Sequence, residues 1–248
     1  MKIPVQPFGA QRCPCALSAE SDGTGQHGSH VPSVGRARNP SLRFRLTRHT
    51  GYNGLMCIDE ALERLADLYA AMDRTYAAHA EALGLTCEGC PDNCCLTYFH
   101  HHTMVERLYL WEGPATLTPR LREDLVTQAR RYVAEAPAET GDPALCPLHR
   151  AGRCLLYDYR PMICRLHGVP WVLRRGRLVG EVQSGCHRAI RLAERGVSAT
   201  PLDRTDLYAE LAALEQACRQ AARSSGPAKT TVAEMILQYV HRNASSGR

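Results

Sequence analysis

The stretch from Cys87 to Cys95 places four cysteines within nine residues, and three consecutive histidines follow at His100, His101 and His102. Thiolate sulfur and imidazole nitrogen are the ligands that zinc sites and iron–sulfur centres use in proteins. The same thiols can instead form disulfides or include one reactive nucleophile. The position of the remaining cysteines bears on which of these chemistries applies.

Twelve cysteines occur in the chain, and eight of them fall in or beside predicted loops between positions 87 and 186. Eight thiols match two four-thiolate centres, or one centre with additional redox thiols. The offsets of three and four residues allow the first three to converge, whereas adjacent side chains diverge, so Cys95 is expected to serve a second centre or to reach the first from another direction. The candidate metal ligands are Cys87, Cys90, Cys94, Cys95, Cys146, Cys154, Cys164 and Cys186. Cys57 and Cys218 border or lie on helices and are interpreted as structural.

Arginines are interleaved with the second group of cysteines, between Cys146 and Gly168. Several thiolates around one metal leave net negative charge, and guanidinium groups beside the sulfurs offset it. We expect Arg160 and Arg165 to have this role at the cofactor, and the alternative is that these arginines form surface ion pairs. His149, His167 and His187 each lie within three residues of a proposed ligand and are candidates to orient one.

The second cysteine group resembles the YkgJ-type cysteine-cluster family. That family is known for a C-x-x-C-x-x-C-C motif followed by a block with the pattern C-P-(L/F), then C-x-x-Y-x-x-R-P-x-x-C-R. Here the block begins at Cys146 and ends with Arg160, Pro161, Cys164 and Arg165. The first motif departs by one residue, with three rather than two between Cys90 and Cys94. The resemblance covers about residues 85–190 and implies zinc or iron–sulfur binding without a defined biochemical role.

Two functions follow as hypotheses. The first is a protein that carries an iron–sulfur cluster for electron transfer or redox sensing, with a redox donor as partner. The second is a non-catalytic zinc-chelating module that shapes a surface for a protein partner. A disulfide scaffold is disfavoured by the chain length and by the lack of an apolar leader, and no single cysteine stands out as a nucleophile. No catalytic residue is assigned, so whether the protein is an enzyme stays open.

Charge is unevenly distributed along the 248 residues, whose net charge is +5. Residues 1–55 carry seven basic and two acidic side chains, and the remainder carries 23 of each and is neutral. The tail is rich in Gly, Ser, Pro and Arg without helical or strand periodicity, so we expect it to be disordered, with Met56 as an alternative start. A neutral folded part predicts no nucleic-acid partner. The lack of a long apolar run or leader predicts no membrane partner and a cytoplasmic location.

The elements that must position the cysteines are mainly helical. Apolar residues from Ile58 to Leu83 recur at alternating spacings of four and three and predict one helix that ends at Gly84. Capping residues predict further helices over about 104–112, from Thr118 to Pro137, and from Thr231 to about His241. Helices are also predicted after Cys186 and around Leu211, and alternation from Pro170 to Val182 predicts a hairpin. The predicted architecture is a mainly α, loop-rich domain over 56–248 with one small β-hairpin, organised by metal at about 85–190.

Overall fold

The computed structural model describes residues 56–87, 94–135, 144–225 and 229–246. These ranges contain seven α-helices: α1 (Ile58–Leu83), α2 (Met104–Glu112), α3 (Pro119–Glu135), α4 (Met162–Leu166), α5 (His187–Glu194), α6 (Thr205–Ala222) and α7 (Val232–Ser246). Single 3-10 turns lie at Cys94–Leu96, Gly113–Thr116 and Tyr157–Tyr159. The predicted fold class, mainly helical with a small hairpin and long loops, is confirmed for the described part of the chain. The tail, residues 1–55, and Pro137 lie outside it, and the single domain from residue 56 onward stays a prediction.

The strands are two residues each and form three separate pairs. They are β1 (His149–Arg150), β2 (Arg153–Cys154), β3 (Trp171–Val172), β4 (Arg174–Arg175), β5 (Leu178–Val179) and β6 (Leu202–Asp203). The predicted hairpin is β4–β5, which is antiparallel and turns through Gly176 with φ of 62°. The β1–β2 hairpin and the parallel pairing of β3 with β6 were not predicted from the sequence.

Helix α1 forms as its spacing predicts. Its seam buries Leu65, Tyr69 and Met72, and Gly84 closes it in the left-handed conformation with φ of 63°. Glycine adopts this conformation without the steric penalty of a Cβ, which lets the Gly84 amide reach the last carbonyls of the helix. The 26 residues of α1 therefore supply a long, apolar face on which α2, α4 and α6 pack.

Two hydrophobic clusters make up the core. The first joins α1 to α4 and α6 and includes Met104 and Val105 at the start of α2. The second joins α3 and α7 and includes Leu110 near the end of α2. Helix α2 thus contributes side chains to both clusters.

The start of α2 and the end of α7 differ from their predictions. The side chain of Thr103 does not cap α2 but donates to Glu106, whose carboxylate is engaged elsewhere in the interior. Helix α2 spans the predicted residues 104–112 and ends at Gly113, where a 3-10 turn follows directly. The capping box of Thr231 and Glu234 is confirmed by reciprocal hydrogen bonds, but α7 extends to Ser246 rather than to His241. None of the described helices is long and apolar enough to cross a membrane.

Candidate metal centre

The stretch around Cys95 lies directly beside the stretch around Cys146. The Cys146 amide donates to the Cys95 carbonyl oxygen over 2.8 Å, although 51 residues separate the two positions. The nearby Tyr132 hydroxyl has a raised pKa, chiefly because of burial and secondly because of the Cys146 thiol. Two of the predicted cysteine groups are therefore joined through their backbones.

The β1–β2 hairpin places Cys154 next to this pair. Ala151 and Gly152 have φ of 47° and 81°, the two left-handed residues that a tight type I′ turn requires. Since the Leu155 amide donates to the Leu148 carbonyl, His149 and Cys154 form a non-hydrogen-bonded pair. Such pairs hold Cα atoms about 4.5 Å apart with both side chains on one face. The Nε2 atom of His149 is buried and has no hydrogen-bond partner among the described residues.

Cys87 and Cys186 approach a common point at the Gly168 backbone. The Tyr76 hydroxyl lies 3.9 Å from the Cys87 sulfur, and a Cβ added at Gly168 would lie 2.8 Å from that hydroxyl. The Cys186 amide donates to the Gly168 carbonyl over 2.9 Å. Gly168 is needed here because its φ of 121° and the Tyr76 contact both exclude a side chain. The Phe99 ring also contacts the His167 ring edge-on, at 5.6 Å between centroids, so the 94–100 segment borders this region.

Cys164 lies in α4, between two arginines that share one carboxylate. Arg160 and Arg165 both pair with Asp73 of α1, Arg160 at 2.9 Å and Arg165 at 2.5 Å. Arg165 also donates to the carbonyls of Arg160 and Asp158, and its guanidinium lies 4.0 Å from the centre of the Tyr69 ring. Both arginines are buried, whereas the Asp73 side chain is 39% exposed, so these are ion pairs at the edge of the interior. These ion pairs hold the Tyr-x-x-Arg-Pro-x-x-Cys-Arg block against α1. A role of both arginines beside a cofactor stays a prediction.

The buried carboxylate of Glu106 binds the first residue of α4. Glu106 accepts hydrogen bonds from the Tyr69 hydroxyl at 2.9 Å, the Thr103 hydroxyl at 2.5 Å and the Met162 amide at 2.7 Å. The pKa of Tyr69 is raised well above its usual value by burial first, and then by Glu106 and by Cys164 among smaller effects. The thiol of Cys164 therefore lies within electrostatic reach of this carboxylate–tyrosine pair.

The histidine triplet divides into buried and accessible members. His101 is buried, and its backbone exchanges two hydrogen bonds with Thr230. Burial, followed by the charges of His102 and His100, lowers the pKa of His101 to about 4, so this ring is neutral at pH 7. His102 is exposed and His100 is half-buried against Tyr98. Of the three histidines, His101 is therefore the one packed in the interior.

The cysteines outside the predicted ligand set behave differently from each other. Cys218 is a free, fully buried thiol on α6, and burial followed by Glu215 raises its pKa to about 12. This agrees with its interpretation as a packed, inert side chain. Cys57, interpreted as structural too, precedes α1 and is disulfide-bonded. Its pairing could not be foreseen, because the spacing of cysteines in a sequence does not give disulfide connectivity.

The fit of a metal to these residues is incomplete within the described part of the chain. No group of three or more His, Cys, Asp or Glu side chains there is arranged to hold a metal ion. Cys90 and the side chain of Cys94, two of the eight predicted ligands, lie outside the described residues. The structure brings the backbones of the cysteine-bearing stretches together. The set of cysteines that bind the metal stays a prediction.

Comparisons with protein-family models, with curated proteins and with solved structures found no match for this chain. The resemblance to the YkgJ-type family therefore rests on the motif residues alone.

Sequence reasoning missed the residues that fasten the cysteine block to the helices. Tyr69 belongs to the apolar spacing of α1, which indicated only a helix face, and Asp73 lies in the same helix outside that spacing. Glu106 was interpreted as part of a cap. Arg204 was not singled out at all, although its side chain is only 1% exposed. A single charged residue far from any motif gives no sequence signal, because its burial depends on tertiary packing.

Proposed function

We propose that this chain is a cysteine-cluster metal-binding protein that carries an iron–sulfur centre for electron transfer or redox sensing. One observation carries the proposal: cysteine-bearing stretches distant in sequence lie side by side, because the backbones at Cys95 and Cys146 share a hydrogen bond. Cys186 bonds the Gly168 carbonyl, and Cys87 lies beside Tyr76, which closely approaches Gly168. Soft sulfur donors from several loops are what a thiolate centre needs, and a loop-rich region with few apolar residues gains stability from a shared ion.

The predominance of cysteine among the predicted ligands favours an iron–sulfur cluster over other metal centres. Iron–sulfur clusters are held mostly by cysteine thiolates, and the eight loop cysteines outnumber the histidines near them. When bound, a cluster would supply one-electron chemistry, and the polypeptide would set its potential through burial and hydrogen bonds to sulfur. The partner in that case is a redox donor or acceptor protein.

A second candidate, a zinc-chelating module without catalysis, is favoured by His149. Its buried Nε2 atom lacks a hydrogen-bond partner among the described residues, and its side chain shares a hairpin face with Cys154. An unpaired buried nitrogen costs about 1 to 3 kcal/mol, and coordination to a metal would remove that cost. Mixed shells of three cysteines and one histidine are common for structural zinc.

Anaerobic purification followed by metal analysis and visible absorption tests both candidates. Brown protein with stoichiometric iron and sulfide supports the cluster, and colourless protein with stoichiometric zinc supports the module. Cys146→Ser should lower the bound metal, and Cys218→Ala, which changes a buried thiol outside the proposed set, should leave it unchanged. Protein that takes up neither metal after anaerobic reconstitution would refute the proposal.

A further inference from the structure

The β4–β5 hairpin and the residues beside it expose a group of aliphatic side chains. Nine large apolar side chains are exposed in the described part of the chain, and four of them fall within the ten residues 173–182. Leu178 is the most exposed of all nine, at 73%. The other three are Leu173, Val179 and Val182. Single exposed apolar residues are common on any protein, whereas a group of them marks a surface where another molecule binds.

One edge of this hairpin is open for backbone pairing. The Gly180 amide donates to the Leu173 carbonyl over 2.8 Å, so the next pair, Arg174 and Val179, is a non-hydrogen-bonded pair whose backbone groups point outward. The outward amide of Arg174 already donates to the Thr205 hydroxyl over 2.7 Å. The outward amide and carbonyl of Val179 have no partner among the described residues. An edge with free amide and carbonyl groups is a template for another strand.

Two cations without partners lie at the turn of the hairpin. Arg175 and Arg177 stand on either side of the turn glycine, both are exposed, and neither guanidinium forms an ion pair within the described ranges. Arg174, by contrast, pairs with Asp203 over 2.7 Å. Glu181 is four residues beyond Arg177, about 13 Å along an extended chain. The tip of the hairpin is therefore positively charged as well as apolar.

We propose that the β5 edge of this hairpin binds an extended, acidic segment of a partner protein, which adds a strand to it. Backbone hydrogen bonds to Val179 hold the segment, and its aliphatic side chains cover Leu178. Its carboxylates pair with Arg175 and Arg177, which sets the preference for an acidic partner. This interaction goes beyond metal binding and does not depend on it.

The charge of the hairpin favours a foreign acidic protein over the other occupants. Two copies of this chain paired edge to edge about a two-fold axis would bring the same arginines together, and these would repel each other. Residues 1–55 of the chain itself carry a net charge of +5 and have the wrong sign. Residues 173–182 contain no aromatic side chain, whereas single-stranded nucleic acids stack on aromatic rings and membrane interfaces favour them.

Binding is measured on the full-length protein by fluorescence anisotropy. The probe is a short fluorescein-labelled peptide in which glutamate and valine alternate. It should bind, and its affinity should fall as salt is raised because the paired charges are exposed. A lysine–valine peptide of reversed charge and a glutamate–glycine peptide without aliphatic side chains should bind at least about 10-fold more weakly. Hydrogen exchange at the Val179 amide should slow when the glutamate–valine peptide binds.

Substitutions in the hairpin separate the three contributions. Arg177→Glu combined with Leu178→Ser reverses one charge and removes the most exposed apolar side chain, and should lower the affinity at least about 10-fold. Val179→Pro removes only the outward amide, which an edge strand tolerates, and should also weaken binding. Val179→Ala keeps that amide and should retain more affinity than Val179→Pro.

Helix α3 provides a matched control for these variants. Arg130 and Val133 are both exposed and lie one turn apart on its surface. Arg130→Glu combined with Val133→Ser makes the same kind of change in charge and polarity away from the hairpin, and should leave the affinity unchanged. Circular dichroism should show the same helical content in every variant, because all of the substituted side chains are exposed.

The possible results decide the proposal in either direction. Loss of peptide binding in the hairpin variants, with the α3 variant unaffected, supports it. Wild-type protein that does not bind the glutamate–valine peptide, or hairpin variants that bind it as well as the wild type, would overturn it. Binding to phosphatidylserine vesicles or to single-stranded DNA in place of the peptide would also overturn it, in favour of a membrane or a nucleic-acid surface.

Discussion

Removing the carboxylate of Glu106 should strongly destabilise the fold, and the size of the effect can be worked out from its hydrogen bonds. In Glu106→Ala the buried Tyr69 hydroxyl and the Met162 amide each lose their acceptor. An unsatisfied buried donor costs about 1 to 3 kcal/mol, so the two together cost about 2 to 6 kcal/mol. The whole stability of a domain is about 5 to 15 kcal/mol, so this loss is a large fraction of it.

The assay is urea unfolding of purified protein followed by circular dichroism, with a thermal scan in parallel. For a domain of this size a loss of 4 kcal/mol corresponds to a fall in Tm of roughly 8 to 16 °C. Glu106→Gln keeps one acceptor oxygen and should fall between the wild type and Glu106→Ala. Glu135→Ala is the control, because its ion pair with Arg131 is exposed at both ends, 60% and 66%, and should change stability by less than about 1 kcal/mol. A loss below about 1 kcal/mol in Glu106→Ala would refute the assigned hydrogen bonds.

Three further outcomes are expected. Cys164→Ser should release bound metal, as judged by metal analysis after gel filtration, whereas Cys218→Ala should retain it. Because burial lowers the pKa of His101 to about 4 from 6.5, the folded state binds fewer protons than the unfolded state between these values. Stability is therefore full above pH 6.5 and declines by roughly 3 kcal/mol as pH falls to 4, and His101→Leu should flatten this dependence in urea titrations at stepped pH. Cys218, with a pKa raised to about 12, should resist iodoacetamide at pH 8 until urea unfolds the protein, as followed by peptide mass spectrometry, and labelling of the native protein would contradict its burial.

The helices could be predicted from the sequence because their signals are local. The spacing from Ile58 to Leu83, the glycine at 84 and the Thr231–Glu234 box each act within one or two turns, and the structure confirms all three. The predicted hairpin was likewise set by neighbouring residues around Gly176.

Long-range partners could not be predicted. The parallel pairing of Trp171 with Leu202 joins residues 31 positions apart, and no local pattern marks it. The arginines of the cysteine block were recognised as important, but their common partner Asp73 was not, because an acidic residue on the half-buried side of a helix looks like any solvated one. The candidate ligands were named from type and spacing, which do not specify how their sulfur atoms converge.

Side chains of α2 belong to both apolar clusters, which links the unfolding of one cluster to that of the other. This helix has nine residues, with Val105 fully buried in one apolar cluster and Leu110 fully buried in the other. Melting either cluster removes part of the packing that supports α2, so we expect neither cluster to persist as a separate folded fragment. The described helices should consequently unfold in a single cooperative step, with calorimetric and van't Hoff enthalpies in agreement.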